Sequence, residues 1–453
     1  MAVHLNEHLT YRKIFRLTIS PILMMIFTSI YTIVDGLFIA NFAGTSAFAG
    51  VNLIFPLCMV VGGIGFMFGT GGNALVSKYL GMQQKERANA AFSMLVYFTF
   101  ALGVLLSFSG FFLVEPFARW MASLTENNTE EMIKEAISYG HILMAGQALF
   151  MMQNLFQSFF QTAERPHLGF FFTLFAGITN AALDALFIAG FRWGVVGAAS
   201  ATIIGYGVGA LGPLLYFLIK RDGVIVLGKP KFEARELLQA AGNGSSEFVS
   251  NISSSVLAMV FNFQLLRYLG EDGVSAYGII LYVGFVFMAI FIGFAIGLSP
   301  VVGYNFGAGN KKELKNILIK ALICMGVAGL IMFTIGESMA NLISGVFASD
   351  NPALKELATR AVRFYSFSYL FAGIGIFISS FFTALNNGLI SAIISFVRTL
   401  VFQLAFVLLI PLIFGADGIW LAPTLSEVGS FLLSFFFLFK ERKRYGYFDR
   451  TSS

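Results

Sequence analysis

Long apolar stretches, each closed by a cluster of charge, glycine, proline or asparagine, follow one another along the whole chain. They fall at 14–39, 51–76, 91–114, 139–161, 168–189 and 194–219, and again at 245–266, 275–302, 317–335, 361–384, 389–413 and 418–438. A helix needs about 20 apolar residues to cross the hydrocarbon core of a bilayer. The pattern therefore predicts an all-α polytopic membrane protein of twelve transmembrane helices, in two sets of six. The longest polar connection lies between the sets and carries Pro230 and a short helical pattern at 232–241. The expected organisation is an amino-terminal lobe (1–219), an inter-lobe linker (220–243), a carboxy-terminal lobe (244–440) and a tail (441–453).

Composition narrows the function. Of 453 residues, 57% are hydrophobic and only 12% charged, about half the charge of a soluble domain. Little chain remains for a water-soluble catalytic domain, so no enzyme is expected. No phosphate-binding GxxxxGK[ST] loop is present, and the two cysteines and four histidines show no metal-ligand spacing. No cofactor is expected. A net charge of +5 would point to nucleic acid in a soluble protein, but in a membrane protein it is the positive-inside signal. With the amino terminus placed in the cytoplasm, 21 of the 29 Lys and Arg residues fall on inner segments and seven on outer loops, leaving Arg398 alone within a span. Both termini are thus expected in the cytoplasm of a multi-pass cell-membrane protein, with no nucleic-acid partner. Trp120, Trp193 and Trp420 then fall at outer helix ends, where amphipathic rings prefer the interface. The polar residues 1–13 run into the first span without a cleavage signal, so that span is expected to be retained.

The two sets of helices resemble each other. Gly81-Met-Gln-Gln-Lys-Glu-Arg follows the second span as Gly307-Ala-Gly-Asn-Lys-Lys-Glu follows the eighth, and Gly194-Val-Val-Gly197 opens the sixth as Gly415-Ala-Asp-Gly418 opens the twelfth. An even number of spans per repeat keeps both copies in one orientation, so a pseudo-twofold axis runs along the membrane normal and the substrate path lies between the lobes.

Carboxylates inside spans cost about 2.5–3.5 kcal/mol each and mark ion or proton sites. Asp35 follows Tyr31 by four residues, and Asp184 follows Asn180 by four, so each pair shares one helix face. Gln147, Asn154, Gln157 and Gln161 trace one face of the fourth span, as helix–helix glue or as a cavity lining. Burial disfavours an ionised carboxyl while a bound cation favours it. A cluster of Asp35, Asn180, Asp184 and Thr202 can therefore exchange a proton for Na⁺ or a cationic substrate, its oxygens suiting a hard cation. In the second half, Glu247 stands in a Gly/Ser run near the start of the seventh span, as a carboxylate favoured by the helix dipole or as a site residue. Glu337 lies near an outer interface, and Glu427 is either a partner for Arg398 or a substrate contact. Pro21 is expected to kink the first span.

These features together resemble the multidrug and toxic compound extrusion (MATE) family. The resemblance rests on Tyr31-Thr-Ile-Val-Asp35-Gly with Gly44-Thr-Ser-Ala-Phe-Ala-Gly50 and Pro56, on Asn180-Ala-Ala-Leu-Asp184 before Gly194-Val-Val-Gly-Ala-Ala198, and on Gly244-Ser-Ser-Glu247. It implies two six-helix bundles related by a pseudo-twofold axis, and antiport of H⁺ or Na⁺ against small-molecule organic cations and drugs, by a monomer in the lipid bilayer. It also implies that Asp35, Asn180, Asp184 and Thr202 form the coupling-ion site, with Tyr31, Asn154 and Gln157 beside it and Glu247 in the other lobe. The tenth span carries Tyr365 and Tyr369 and no acid, unlike NorM-type members, so the chain looks closer to the MepA-like bacterial branch. The alternative is a lipid-linked precursor flippase of the MurJ/Wzx type. Such proteins generally use cationic cavities, whereas Arg398 is the single intramembrane cation here.

Overall fold

The computed structural model describes residues 4–123, 129–348 and 351–447, so the end of the expected tail, 448–453, lies outside the described residues. Those residues form helices and no strand. Seven come from the first half: α1 (Tyr11–Phe38), α2 (Thr45–Gly81), α3 (Lys85–Ser123), α4 (Glu130–Ala145), α5 (Gln147–Thr162), α6 (Pro166–Asp184) and α7 (Gly194–Ile219). The second half gives α8 (Ala234–Gly307), α9 (Lys311–Phe347), α10 (Pro352–Ser366), α11 (Tyr369–Ala384), α12 (Gly388–Phe396), α13 (Gln403–Leu409), α14 (Pro411–Phe414), α15 (Ala416–Lys440) and α16 (Arg442–Tyr445). Local chemistry sets their starts. Thr10, Asn310, Asn351 and Asn387 accept from a backbone N–H in the first turns of α1, α9, α10 and α12, and Pro166 and Pro352 occupy first turns, where no N–H is needed.

Nine helical stretches of the described residues are individually long and apolar enough to cross a bilayer, and α10 with α11 forms a tenth, bent by 46°. At about 1.5 Å per residue, the 74 residues of α8 would span three bilayers. They do not, because the backbone at Gly270 turns to φ 64°, ψ −154°, dividing α8 into the seventh and eighth passes. The fourth pass is the α4–α5 pair, parted at Gly146 (φ −93°, ψ 1°) where one continuous span is expected from hydropathy.

Other differences from the sequence reading have clear causes. The short helix expected at 232–241 starts at Ala234 and does not stop, because no proline follows before Gly270 and Gly244 lies against the backbone of α2. Its residues extend the seventh pass. Glu247 therefore lies well inside a helix, and its reading as a dipole-stabilised first-turn carboxylate fails. Pro21 lies inside α1, and its ring sits beside Gly297 of α8. Trp120 and Trp193 are exposed, but Trp420 is 1% exposed, packed in the second-half core with Ile419 and Val407 rather than at a surface.

The repeat is visible in the backbone. Left-handed residues recur at matching turns, Gly44 with Gly270, Gln83 with Gly309, Glu164 with Asn386, and Gly194 with Gly415. The glycines matched by the sequence repeat also meet. A Cβ on Gly81 would strike the Tyr304 carbonyl of α8, and one on Gly307 the Lys78 carbonyl of α2. Deeper in, Gly71 and Gly244 block each other's helices in the same reciprocal way, through the carbonyls of Ala240 and Met67. Both ends of the described chain lie on this same face, where Lys311 packs on Gly446 and Asn387 Nδ2 donates to the Tyr445 hydroxyl at 2.9 Å.

Residues 4–9 strap that face from one half to the other. His4 Nδ1 lies 2.6 Å from Glu164 Oε2, and the Leu5 N–H donates to Glu164 Oε1 at 2.8 Å. Four residues on, His8 Nδ1 lies 2.7 Å from Glu313 Oε2, and the Leu9 N–H donates to Glu313 Oε1 at 2.8 Å. Leu5 and Leu9 are buried beneath the strap. The hydrogen bond to Glu164 raises the His4 pKa above its usual value, helped by the charge of Glu7, while Arg165, Lys220 and Asp222 line the same recess. A raised folded-state value means that the contact is fully present below about pH 6.5 and is lost as pH rises through the raised value. The anisotropy of a fluorophore on the amino terminus is expected to fall across that window, and His4→Ala should make it low and flat. A pH-dependent drop retained in His4→Ala would refute this.

Candidate functional site

Two joined cavities lie between the halves, one against α1, α5, α6 and α7 and the other against α8, α11, α12 and α15. The first, about 270 Å³, is lined by Tyr31, Asp35, Asn154, Gln157, Asn180 and Thr202. Asp184 stands behind this wall, fully buried. The helix spacing of four places it one turn beyond Asn180, whose Nδ2 donates to Thr202 Oγ1 at 3.4 Å. No N–H or O–H of the described residues reaches either Asp184 oxygen or Asp35 Oδ1, and the group these carboxyls do meet is each other. Two facing carboxyls cannot both stay ionised in a dry site unless a proton or cation lies between them. The structure thus brings together all four residues of the expected coupling site. Its donors are two carboxylates, an amide and a hydroxyl, a set suited to a proton or a hard monovalent cation. Among the described residues no group of three or more His, Cys, Asp or Glu exists that would hold a polyvalent metal.

The glutamine stripe divides by function. Gln147 donates to the Cys58 carbonyl and Gln157 to Thr173 Oγ1 at 3.0 Å, both at the cavity wall. Asn154 also lines the wall, and its Nδ2 is buried with no partner among the described residues. Gln161 is buried but faces neither cavity. Tyr139, Gln153 and Tyr206 line the wall near Asp35 and were missed by spacing. Tyr206 could have been found, since it follows Thr202 by four residues. Gln153 could not, because it falls off the stripe.

The second cavity, about 400 Å³, is lined by Glu247, Arg398 and Glu427, with Tyr365, Gln403 and a row of Ser and Thr, and it shares Asn154, Gln157 and Asn251 with the first. The open choice for Glu427 resolves as an ion pair, since Arg398 Nε donates to its two oxygens at 2.9 and 3.0 Å. Glu337 lies elsewhere, in a surface recess with Lys355, Arg360 and Arg363. Each charged site is followed or framed by a π-helical segment, at Ile39–Ala43 after Asp35, at Ala185–Gly190 after Asp184, and at Val397–Phe402 around Arg398. Such widened turns are rare and gather at functional sites.

Glu427→Ala is expected to destabilise the protein, by up to about 3 kcal/mol, because it leaves a half-buried guanidinium without its counter-charge. Adding Arg398→Gln should restore most of the loss, read as the thermal midpoint of the monodisperse protein in detergent. A single variant as stable as wild type would show that the pair carries no structural weight.

The MatE family model matches residues 21–186 and 246–409. Among curated proteins, the chain is 25% identical over 396 residues to the multidrug export protein MepA of Staphylococcus saprophyticus, covering 86% of this chain and 84% of that protein. It is 26% identical over 416 residues to MepA of Staphylococcus aureus strain N315, covering 89% of each. Among solved structures, it superposes with a TM-score of 0.90 and 21% identity on a MATE crystallised in complex with MaL6, over 96% of both chains. It superposes at 0.89 and 22% identity on an outward-facing multidrug resistance MATE family transporter of the MOP superfamily, again over 96% of both.

Proposed function

This chain belongs to the MatE family, and we propose that it is a secondary active multidrug exporter, expelling amphipathic, mostly cationic compounds in exchange for H⁺ or Na⁺ by alternating access. The observation that carries the reading is the Asp35–Asp184 pair, a fully buried carboxyl facing a half-buried one, with no N–H or O–H of the described residues reaching either Asp184 oxygen or Asp35 Oδ1. A proton or Na⁺ entering from outside relieves their repulsion. Its arrival is linked to the lobes' rearrangement through α1, which carries Asp35 near one end and packs on α8 through Pro21 and Ile22 near its middle. The MepA relatives, named as multidrug export proteins, support the substrate class. With both termini in the cytoplasm, the end where α2 and α8 meet is the cytoplasmic one, as an outward-facing state requires. The Tyr, Asn, Gln and Thr lining offers adaptable polar contacts between apolar walls, which suits a varied set of bound compounds.

Purified protein in sealed vesicles, with a pH gradient and a Na⁺ gradient imposed separately while a fluorescent cationic dye is followed, tests the reading. One of the two gradients is expected to drive dye movement. Movement driven by neither would overturn the antiport mechanism.

A further inference from the structure

Residues 4–9 clasp both halves in the same way. On each side a histidine Nδ1 meets one carboxylate oxygen and the N–H of the next residue donates to the other. His4 and Leu5 hold Glu164, in the turn between α5 and α6, and His8 and Leu9 hold Glu313, in the first turn of α9. Asn316 and Lys320 reinforce the second clasp by donating to the Leu9 carbonyl. The first depends on the strap, since among the described residues the Glu164 carboxylate accepts from His4 and Leu5 alone. Glu164 stands at φ 57°, a left-handed conformation that costs energy for most residues with a Cβ, whereas the matching turn of the second half carries Asn386, a type that tolerates it. The clasp gives a reason for a glutamate at so strained a turn. Extended chain reaches about 3.5 Å per residue, so the four residues from Leu5 to Leu9 let the clasps part by no more than about 14 Å. The slack within that reach is a turn closed by the Glu7 N–H on the His4 carbonyl at 3.2 Å. While both clasps hold, the halves cannot swing apart at this face beyond it.

We propose that residues 4–9 are an autoinhibitory latch, which holds this face shut while His4 carries a proton and frees it when that proton leaves. The proposal rests on the reading above, in which the halves alternate and the termini are cytoplasmic, and it adds regulation: acid on the cytoplasmic side slows opening toward it. Glu164 faces His4 from the α5–α6 turn and Glu7 from the strap itself, while Arg165 and the Lys220–Asp222 pair line the same recess. Glu7 also pairs with Lys13 of α1 at 2.6 Å, and Lys13 donates to the His8 carbonyl beside Glu313. The His4 side chain is 60% exposed and so trades its proton with water, whereas Glu164 is only 12% exposed beneath it. An exposed ion pair moves an equilibrium a few-fold at most, which makes this a throttle and not a lock. Leu5 and Leu9, buried under the strap, keep its ends in register for the clasps to close again.

Two measurements on the full-length protein test the latch. In the first, spin labels on the exposed Gln84 and Lys312, one in each half, report the fraction of molecules open on this face. The background is Asp35→Asn/Asp184→Asn, so that the membrane carboxyl pair adds no titration of its own. Between about pH 6 and about pH 9, either side of an ordinary histidine, the ratio of open to closed molecules is expected to rise about two- to fivefold, the scale of an exposed ion pair. His4→Ala should hold the high value throughout. Glu164→Gln, which keeps an acceptor for the Leu5 N–H and drops the charge, should do the same. A rise that survives in both variants overturns the proposal. In the second, otherwise wild-type protein and its His4→Ala variant export a cationic dye in inverted membrane vesicles under one imposed gradient, so the driving force cancels from the ratio of initial rates. That ratio, variant over wild type, is expected at about two- to fivefold with the outer medium at about pH 6 and near one at about pH 9. A ratio of one or less at both overturns the latch and leaves the exporter reading standing. Absence of dye movement by wild type under either gradient overturns the exporter reading, and the label distances then decide the latch by themselves.

Discussion

Asp184→Asn is expected to reduce gradient-driven export to the level of protein-free vesicles, while the variant inserts, purifies as a single species and melts no lower than wild type. Both halves of that expectation come from one geometry. Asp184 is fully buried, its two oxygens receive no hydrogen bond from an N–H or O–H of the described residues, and it faces Asp35. A residue serving the fold alone would have its oxygens satisfied, because an unsatisfied buried polar group costs about 1–3 kcal/mol. Asparagine keeps the shape and removes one of two mutually repelling charges, so stability is kept or gained. The same change removes the demand for a proton or Na⁺ and so breaks the link between ion and substrate. Asp35→Asn should do the same. Thr202→Ala should act more weakly, since its hydroxyl already donates to the Ala198 carbonyl and contributes only as an acceptor. Transport at the wild-type rate from both aspartate variants would refute the coupling role, and a large fall in melting temperature with either would mark the pair as structural.

Much of this site was legible in the sequence because intramembrane charges are few. Spacings of four carried Asp35 and Tyr31, and Asp184 and Asn180, onto shared faces, and parity of spans placed both termini on one side. Illegible were the features that depend on which helix passes behind which. Nothing in the chain says that Asp184 stands behind the cavity wall and Asp35 in it, that Arg398 spends only Nε on Glu427, or that Trp420 turns inward. Hydropathy also loses helix continuity wherever a helix leaves the bilayer. The helix at Ala234 runs unbroken into the seventh pass with one side of its first turns packed on α2, where Glu236 accepts from the Tyr79 hydroxyl and Gly244 lies on the Met67 carbonyl. The fourth pass breaks at Gly146, where the side chain of Ile203 would crowd any Cβ.

Gly244→Val and Gly307→Val are expected to stop export by holding the two halves apart at the face that carries the termini. A Cβ at either position meets a backbone carbonyl of α2, Met67 or Lys78, and no rotamer change can move a carbonyl aside. Relief requires the helices to separate. Overpacking typically costs about 1–3 kcal/mol, and each 1.4 kcal/mol shifts an equilibrium about tenfold, so the closed arrangement should lose most of its population to the one open on this face. Spin labels on the exposed Gln84 and Lys312, one in each half, should report the change as a longer distance with a broadened distribution. Alanine should give a smaller effect of the same sign. Gly326→Val is the matched control, because nothing lies within 4 Å of a Cβ there; it tests whether loss of a helical glycine alone matters, and both distance and transport should be unaffected. The strap of residues 4–9 bridges the same face through Glu164 and Glu313, so separation should also release the amino terminus, visible as reduced anisotropy at pH 6 where the His4 contact is otherwise complete. Unaltered label distances in Gly244→Val and Gly307→Val, with export preserved, would show that the close glycine crossing is incidental to the transport cycle.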